Sequence, residues 1–217
     1  MEVHGIEGNS PSTPIHTILF DLDGTLIDSK EIIVKAAYQT AQHYQANIIR
    51  YQDLEHHFGM DLGQFLASNL SEKEAAKLFF TNEKAKQYMF SPLFPNVKNG
   101  LEQLREHSFQ LGVVTNQQKD LAEKVLDHHG ICELFDLIIT KEDVREPKPS
   151  PAPILLALER LPANPENSMM VGDTAFDSLA AQAAGIPCIL LDYYDTHADP
   201  ERIFQQLLDY LIPNTVR

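Results

Sequence analysis

IHTILFDLDGT, Ile15 to Thr25, decides the fold of this chain. Its first half, Ile15 to Phe20, is a β-branched and aromatic run that reads as a buried strand. Its second half is an acidic loop. Asp21 and Asp23 stand at i and i+2 where the strand ends and face the same side, so two like charges converge on one small volume unless a cation or a proton shares it. Gly24 lets the chain turn without a Cβ penalty, and Thr25 can begin a turn or cap. The same residues also fit a plain Asx turn that closes a strand.

Working outward, four more short apolar runs are each followed by polar residues: LGVVT (Leu111 to Thr115), DLIIT (Asp136 to Thr140), MMVG (Met169 to Gly172) and PCILL (Pro187 to Leu191). Helical stripes lie between them, with Val97, Leu101 and Leu104 at i, i+4 and i+7 and Ile154, Leu158 and Leu161 at the same spacing. Ser178 to Ala184 reads as a small-residue helix closed by Gly185. Strands alternating with helices predict an α/β fold: a doubly wound, Rossmann-like parallel sheet covered on both faces.

Residues 28–91 are too many for one crossover and show helical patterning without a clear strand. They read as an inserted small helical domain, with residues 14–27 and 92–217 forming the α/β core. Within the insertion, Tyr38, Ala41 and Tyr44 fall on one stripe and Leu62, Phe65, Leu66 and Leu70 on another. Ser71 and Glu74 are spaced as a capping box for the helix-prone stretch to Met89. Residues 1–13, rich in Gly, Ser, Asn and Pro, read as a flexible tail with neither the basic start nor the apolar stretch of a signal peptide.

The 217 residues carry a net charge of −14, with 43% hydrophobic and 22% charged residues. A surface of that sign argues against nucleic acid and anionic membranes as general partners, since both are met by basic stripes. The apolar runs fall well short of the roughly 20 residues that span a bilayer. Cys132 and Cys188 lie in separate apolar stretches, so no disulfide framework or CxxC site is available and a reducing cytoplasm is the plain expectation. There is no GxxxxGK[ST], GxGxxG or GxSxG, which sets aside P-loop, dinucleotide and serine-hydrolase chemistry. The neighbouring pairs His56–His57 and His128–His129 would point to different helix faces and read as solvated surface.

Three further segments carry chemistry. GDTAFD places Asp173 at the carboxyl end of the MMV strand and Asp177 four residues on, where it would open the next helix as an N-cap. With Asp21 and Asp23 these make up to four carboxylates at strand ends, an oxygen-rich set that suits Mg²⁺. VVTN puts Thr115 and Asn116 at another strand end, where a hydroxyl and main-chain N–H groups can hold phosphate oxygens. EPKPSP fixes Lys148 between two prolines, which restricts where its ammonium can go.

In this order, DLDGT, VVTN, the lysine of EPKPSP and GDTAFD resemble the motifs of the haloacid dehalogenase-like phosphohydrolases. The resemblance covers Ile15 to Leu191, and the insertion looks like that family's helical C1 cap. It implies a strand order of 3-2-1-4-5, with Asp21 and Asp173 on neighbouring strands at the topological switch point. It further implies that Asp21 is the nucleophile and forms an aspartyl phosphate, and that Asp23 is the acid and base. Mg²⁺ would be held by Asp21, Asp173 and the main-chain carbonyl of Asp23, with Asp177 a ligand or an outer partner. Thr115 and Asn116 would hold phosphoryl oxygens, and Lys148 would offset charge on Asp21 and the phosphate. An acid at Asp23 favours phosphate transfer over carbon–halogen cleavage.

A small cap favours a small phosphorylated metabolite over a macromolecule. FGMDLGQFL, Phe58 to Leu66, resembles the substrate loop of phosphoglycolate phosphatases and related pyrophosphatases. Leu62 and Ile33 stand where the β-phosphoglucomutase branch carries an Arg and a His, so a phosphomutase is the alternative rather than the first expectation. A phospho-accepting signalling domain and a non-catalytic binding protein are weaker alternatives. Either a monomer or a homodimer fits the sequence.

Overall fold

The computed structural model describes residues 3–4, 14–45, 49–58, 62–195, 197 and 199–212. Among these the strands are β1 (Val3–His4), β2 (Thr17–Phe20), β3 (Gln110–Val114), β4 (Leu137–Ile139), β5 (Ser168–Gly172) and β6 (Cys188–Leu191). They form one sheet in the order β1-β6-β5-β2-β3-β4. β2 through β6 are parallel, and in their own succession they follow the expected 3-2-1-4-5 order. β2 sits at the centre with all four residues buried, as a strand covered on both faces must be.

The chain divides into two compact units, residues 1–27 with 93–217, and residues 28–92. In the first unit, five helices flank the sheet: α5 (Val97–Glu106), α6 (Lys119–His128), α7 (Ala152–Arg160), α8 (Ala175–Ala184) and α9 (Pro200–Leu211). Leu101, Leu104, Ile154, Leu158 and Leu161 are all buried, as the i, i+4, i+7 stripes require. Gly185 closes α8 at φ 75°, the left-handed conformation that glycine adopts without strain. The sequence reading passed over α9, an amphipathic helix that starts at the Asp199 N-cap with Pro200 in its first turn. Its Phe204 stacks on Phe20 of β2 at 6.1 Å between ring centroids.

The second unit is helical, with α1 (Lys30–His43), α2 (Tyr51–His56), α3 (Leu62–Asn69) and α4 (Lys73–Tyr88). Where the chain leaves and re-enters the α/β unit, the two crossings are paired: Ile27 bridges Leu93, and Asp28 N–H donates to the Pro92 carbonyl at 2.8 Å.

Several local expectations need correction. Val3 and His4 do not belong to a free tail; they pair antiparallel with Leu191 and Leu190 and cover the outer edge of β6. An edge strand exposes unpaired main-chain groups, and even two extended residues satisfy some of them. The rest of the predicted tail, residues 5–13 and 1–2, lies outside the described residues. On α1 the buried stripe is Ile33, Ala37 and Ala41 with Val34, while Tyr38 and Tyr44 are only half-buried. Tyr38 instead meets Tyr51 edge-on. Helix α4 starts after Glu72 and makes no side-chain cap bond, so Ser71 and Glu74 form no capping box. The box fails because the helix begins one residue too late, leaving Ser71 outside it. Among the described residues no helix is long and apolar enough to cross a membrane.

Candidate active site

β2 ends at Phe20, but its ladder continues for one more bond, Asp21 N–H to the Val171 carbonyl at 2.8 Å. That bond registers Asp21 beside β5, and β5 runs straight into Asp173. Between them the chain makes a tight loop in which Gly24 adopts φ +85°. A Cβ on Gly24 would lie 2.1 Å from Asp173 Oδ2, so glycine is required both by conformation and by the approach of the carboxylate. Thr25, fully buried, donates its hydroxyl to Asp173 Oδ1 at 3.1 Å.

Lys148 is 4% exposed, and its ammonium lies 2.7 Å from Asp21 Oδ1 and 2.6 Å from Asp177 Oδ1. Asp177 is fully buried and is not the N-cap expected of it. Thr174 caps α8, and Asp177 sits at the third helical position, where its Oδ2 accepts from both the Thr174 N–H and hydroxyl. Both Asp177 oxygens are thereby used. Carboxylate oxygens of Asp21, Asp173 and Asp177 lie within 4.8 Å of one another. All-oxygen donors of this kind fit a hard divalent cation.

Three carboxylates around one ammonium leave the site short of positive charge. Burial pushes the Asp21 carboxyl up to about 7, against the pull of Lys148 and with the help of Asp177 and Asp23. Burial likewise raises Asp173 well above the usual carboxylate range, and the charges of Asp21 and Asp177 add to it. Burial works against the Lys148 ammonium, but Asp177 and Asp21 outweigh it and hold that group above the ordinary lysine value.

VVTN contributes differently at each residue. Thr115 is 2% exposed, and its hydroxyl accepts the Gln117 N–H at 3.1 Å. The Asn116 amide turns to Lys148, donating to its carbonyl and accepting its N–H, both at 2.9 Å. Gln117, which the sequence reading passed over, is buried and donates from Nε2 to Asp23 Oδ2 at 2.9 Å. The only signal for it was position, immediately after a motif residue at a strand end.

Of the residues expected in the site, Asp21, Lys148, Asp173 and Asp177 are thus in one cluster. Asn116 is joined to it through Lys148, Asp23 follows Asp21 in the main chain of DLDGT, and Gln117 ties Asp23 to Thr115.

The family pattern of the haloacid dehalogenase-like hydrolases matches residues 18–191. The chain belongs to the haloacid dehalogenase-like hydrolases. It is 35% identical to the pyrophosphatase PpaX of Bacillus velezensis over 79% of this chain and 80% of that protein. To a phosphoglycolate phosphatase of Aquifex aeolicus it is 34% identical, over 79% of this chain and 82% of the relative. Among solved structures, a haloacid dehalogenase-like family hydrolase from Streptococcus pneumoniae superposes with a TM-score of 0.70 at 30% identity, covering 80% of this chain and 83% of that one. This haloacid dehalogenase-like enzyme is accordingly similar to phosphatases and pyrophosphatases, and the acidic cluster lies within the matched span.

Proposed function

We propose that this enzyme is a Mg²⁺-dependent phosphatase that hydrolyses a small phosphate compound, a phosphoglycolate-like or sugar phosphomonoester or pyrophosphate, through an aspartyl phosphate. The observation that carries this reading is the seating of Lys148 between Asp21 and Asp177 beside a third carboxylate, Asp173. A buried set with that charge shortfall suits a divalent cation together with a phosphoryl group whose charge needs neutralising.

In the first step an Asp21 carboxylate oxygen forms a bond to phosphorus while the bond to the ester oxygen breaks. Asp23 gives its proton to the departing oxygen. In the second step Asp23 takes a proton from water as the water oxygen attacks the aspartyl phosphate, releasing inorganic phosphate and the Asp21 carboxylate. Lys148 lies against Asp21 and offsets negative charge there in both steps. Thr115 and the main chain of Asn116 are assigned to the phosphoryl oxygens. Asp21, Asp173 and the main-chain carbonyl of Asp23 would hold Mg²⁺, with Asp177 acting through Lys148 and the helix cap. Bound there, Mg²⁺ supplies charge neutralisation and alignment of the phosphoryl group.

The mutase alternative is disfavoured by the second unit's own packing. Ile33 and Leu62 are buried apolar residues, 9% and 2% exposed, and supply no polar group at the positions where the mutase branch has them. Cytoplasmic action is the matching location, with Cys132 and Cys188 both free thiols.

The test is phosphate release from p-nitrophenyl phosphate, phosphoglycolate, pyrophosphate and sugar phosphates by the purified protein, with Mg²⁺ and with chelator. Release that needs Mg²⁺ and is abolished by Asp21→Asn is expected. No release with Mg²⁺, or release unaffected by that substitution, overturns the reading. Sugar-phosphate interconversion faster than hydrolysis would assign the enzyme to the mutases instead.

A further inference from the structure

We infer that Gln117 is a positioning residue for proton transfer, holding the Asp23 carboxyl where it can reach the departing ester oxygen. The inference rests on the reading of Asp23 as the acid and base. Gln117 Nε2 donates to Asp23 Oδ2 at 2.9 Å, and Gln117 is 4% exposed, so the donor is buried while the carboxyl it holds is half-buried.

The orientation of the Gln117 amide follows from its other partner. Its Oε1 accepts the Gln118 main-chain N–H at 3.0 Å, and an N–H can only donate. The opposite end, facing Asp23, is therefore the NH₂ group. The backbone beneath is also fixed: Gln117 N–H donates to the Thr115 hydroxyl at 3.1 Å, and the Gln117 carbonyl accepts Lys141 N–H at 3.4 Å. A neutral, buried, doubly anchored donor thus grips one oxygen of a half-buried carboxyl on a different strand end. It adds no formal charge, and with both ends of its amide engaged it fixes where that oxygen lies.

An acid misplaced by about 1 Å can lose about 10²-fold in rate, because proton transfer needs hydrogen-bond reach to the reacting oxygen. That loss depends on the substrate. An alkoxide must be protonated as it leaves, whereas p-nitrophenolate is stable enough to leave as the anion. A merely structural glutamine, supporting the loop before α6, would weaken turnover of both esters alike.

The experiment compares kcat/KM for a small alkyl phosphate and for p-nitrophenyl phosphate in the Mg²⁺-supplemented full-length protein. This parameter covers the steps up to departure of the leaving group, so the later role of Asp23 as a base does not enter. Gln117→Met keeps side-chain volume and removes the donor; Gln117→Leu also removes it without adding charge and serves if the first variant does not fold. The alkyl ester is expected to lose about 10- to 100-fold, the size seen when a partner orienting a functional group is removed, and the aryl ester less than about threefold. Asp23→Asn is the control and should show the same selectivity, only larger. Equal loss on both esters, or no loss on the alkyl ester, overturns the role of Gln117 while leaving that of Asp23. If Asp23→Asn itself affects both esters equally, the assignment of Asp23 as the acid falls, and the role of Gln117 falls with it.

Discussion

Asn116 holds Lys148 by both sides of its main chain, its Nδ2 donating to the Lys148 carbonyl and its Oδ1 accepting the Lys148 N–H, each at 2.9 Å. The lysine enters the acidic cluster from a loop, and this pair of bonds ties that loop to the end of β3. Asn116→Ala is expected to lower kcat by about 10- to 100-fold with KM little changed, because the ammonium is displaced rather than a substrate contact removed. Steady-state kinetics checks this. A rise in KM with kcat preserved would instead mean that the asparagine side chain binds substrate.

Removing the ammonium itself is more severe. Lys148→Met should reduce turnover by about 10²- to 10³-fold, in line with the loss of a preorganised electrostatic contact in a buried site. It also leaves Asp21 and Asp177 buried without their common partner, which costs on the order of 3–5 kcal/mol. Urea unfolding of the metal-free variant would measure the second effect. Mg²⁺ should restore part of the loss, since it binds only the folded site.

The raised carboxyls make the metal-free protein sensitive to pH in an unusual direction. Asp21 is pushed from 3.8 up to about 7 in the folded state, so between those values the folded chain holds more protons than the unfolded one. Stability then falls as pH rises through that window, and the penalty is complete only above about 7. Asp173, raised for the same cause, adds to the trend. Asp21→Asn should therefore raise the Tm of chelator-treated protein at pH 8 and leave it nearly unchanged at pH 4. Thermal unfolding at the two values decides it, and a gain of equal size at both would show that titration is not the cause.

Gly24→Ala combines two penalties that Gly185→Ala separates. Both positions have positive φ, 85° and 75°, but an added Cβ meets Asp173 Oδ2 at 2.1 Å in the first case and nothing within 4 Å in the second. Each substitution should cost about 1–3 kcal/mol of backbone strain. Only Gly24→Ala should also weaken Mg²⁺ binding, measured by calorimetric titration, because it must displace the Asp173 carboxylate.

The sheet and the acidic cluster could be read from the sequence because the central strands are continuous apolar runs that stop at the residues carrying chemistry. Asp21 and Asp173 were legible for that reason, Lys148 because two prolines flank it, and Asp177 because it closes the GDTAFD motif. Asn116 was harder: standing next to Thr115, it invited the same task, but the amide turns to the lysine loop, which is 32 positions away. Gln117 is one of two adjacent glutamines before α6 and no sequence pattern marks it; in the fold its N–H bonds to the Thr115 hydroxyl and its side chain is buried. By its sequence Asp177 reads as an N-cap, because aspartate favours that position, but Thr174, three residues earlier, fills it and places Asp177 inside the first turn. Val3 and His4 are too few to show a period, and their pairing depends on an edge supplied nearly the whole chain later.

Ile27 and Leu93 form a bridge, and Asp28 and Pro92 a hydrogen bond, where the inserted unit begins and ends. To the sheet, residues 28–92 are therefore a hairpin tip of fixed width, however long the chain beyond it. Rewriting, lengthening or exchanging that stretch leaves the registers of β2 and its neighbours unconstrained by the change, provided the two stems still meet.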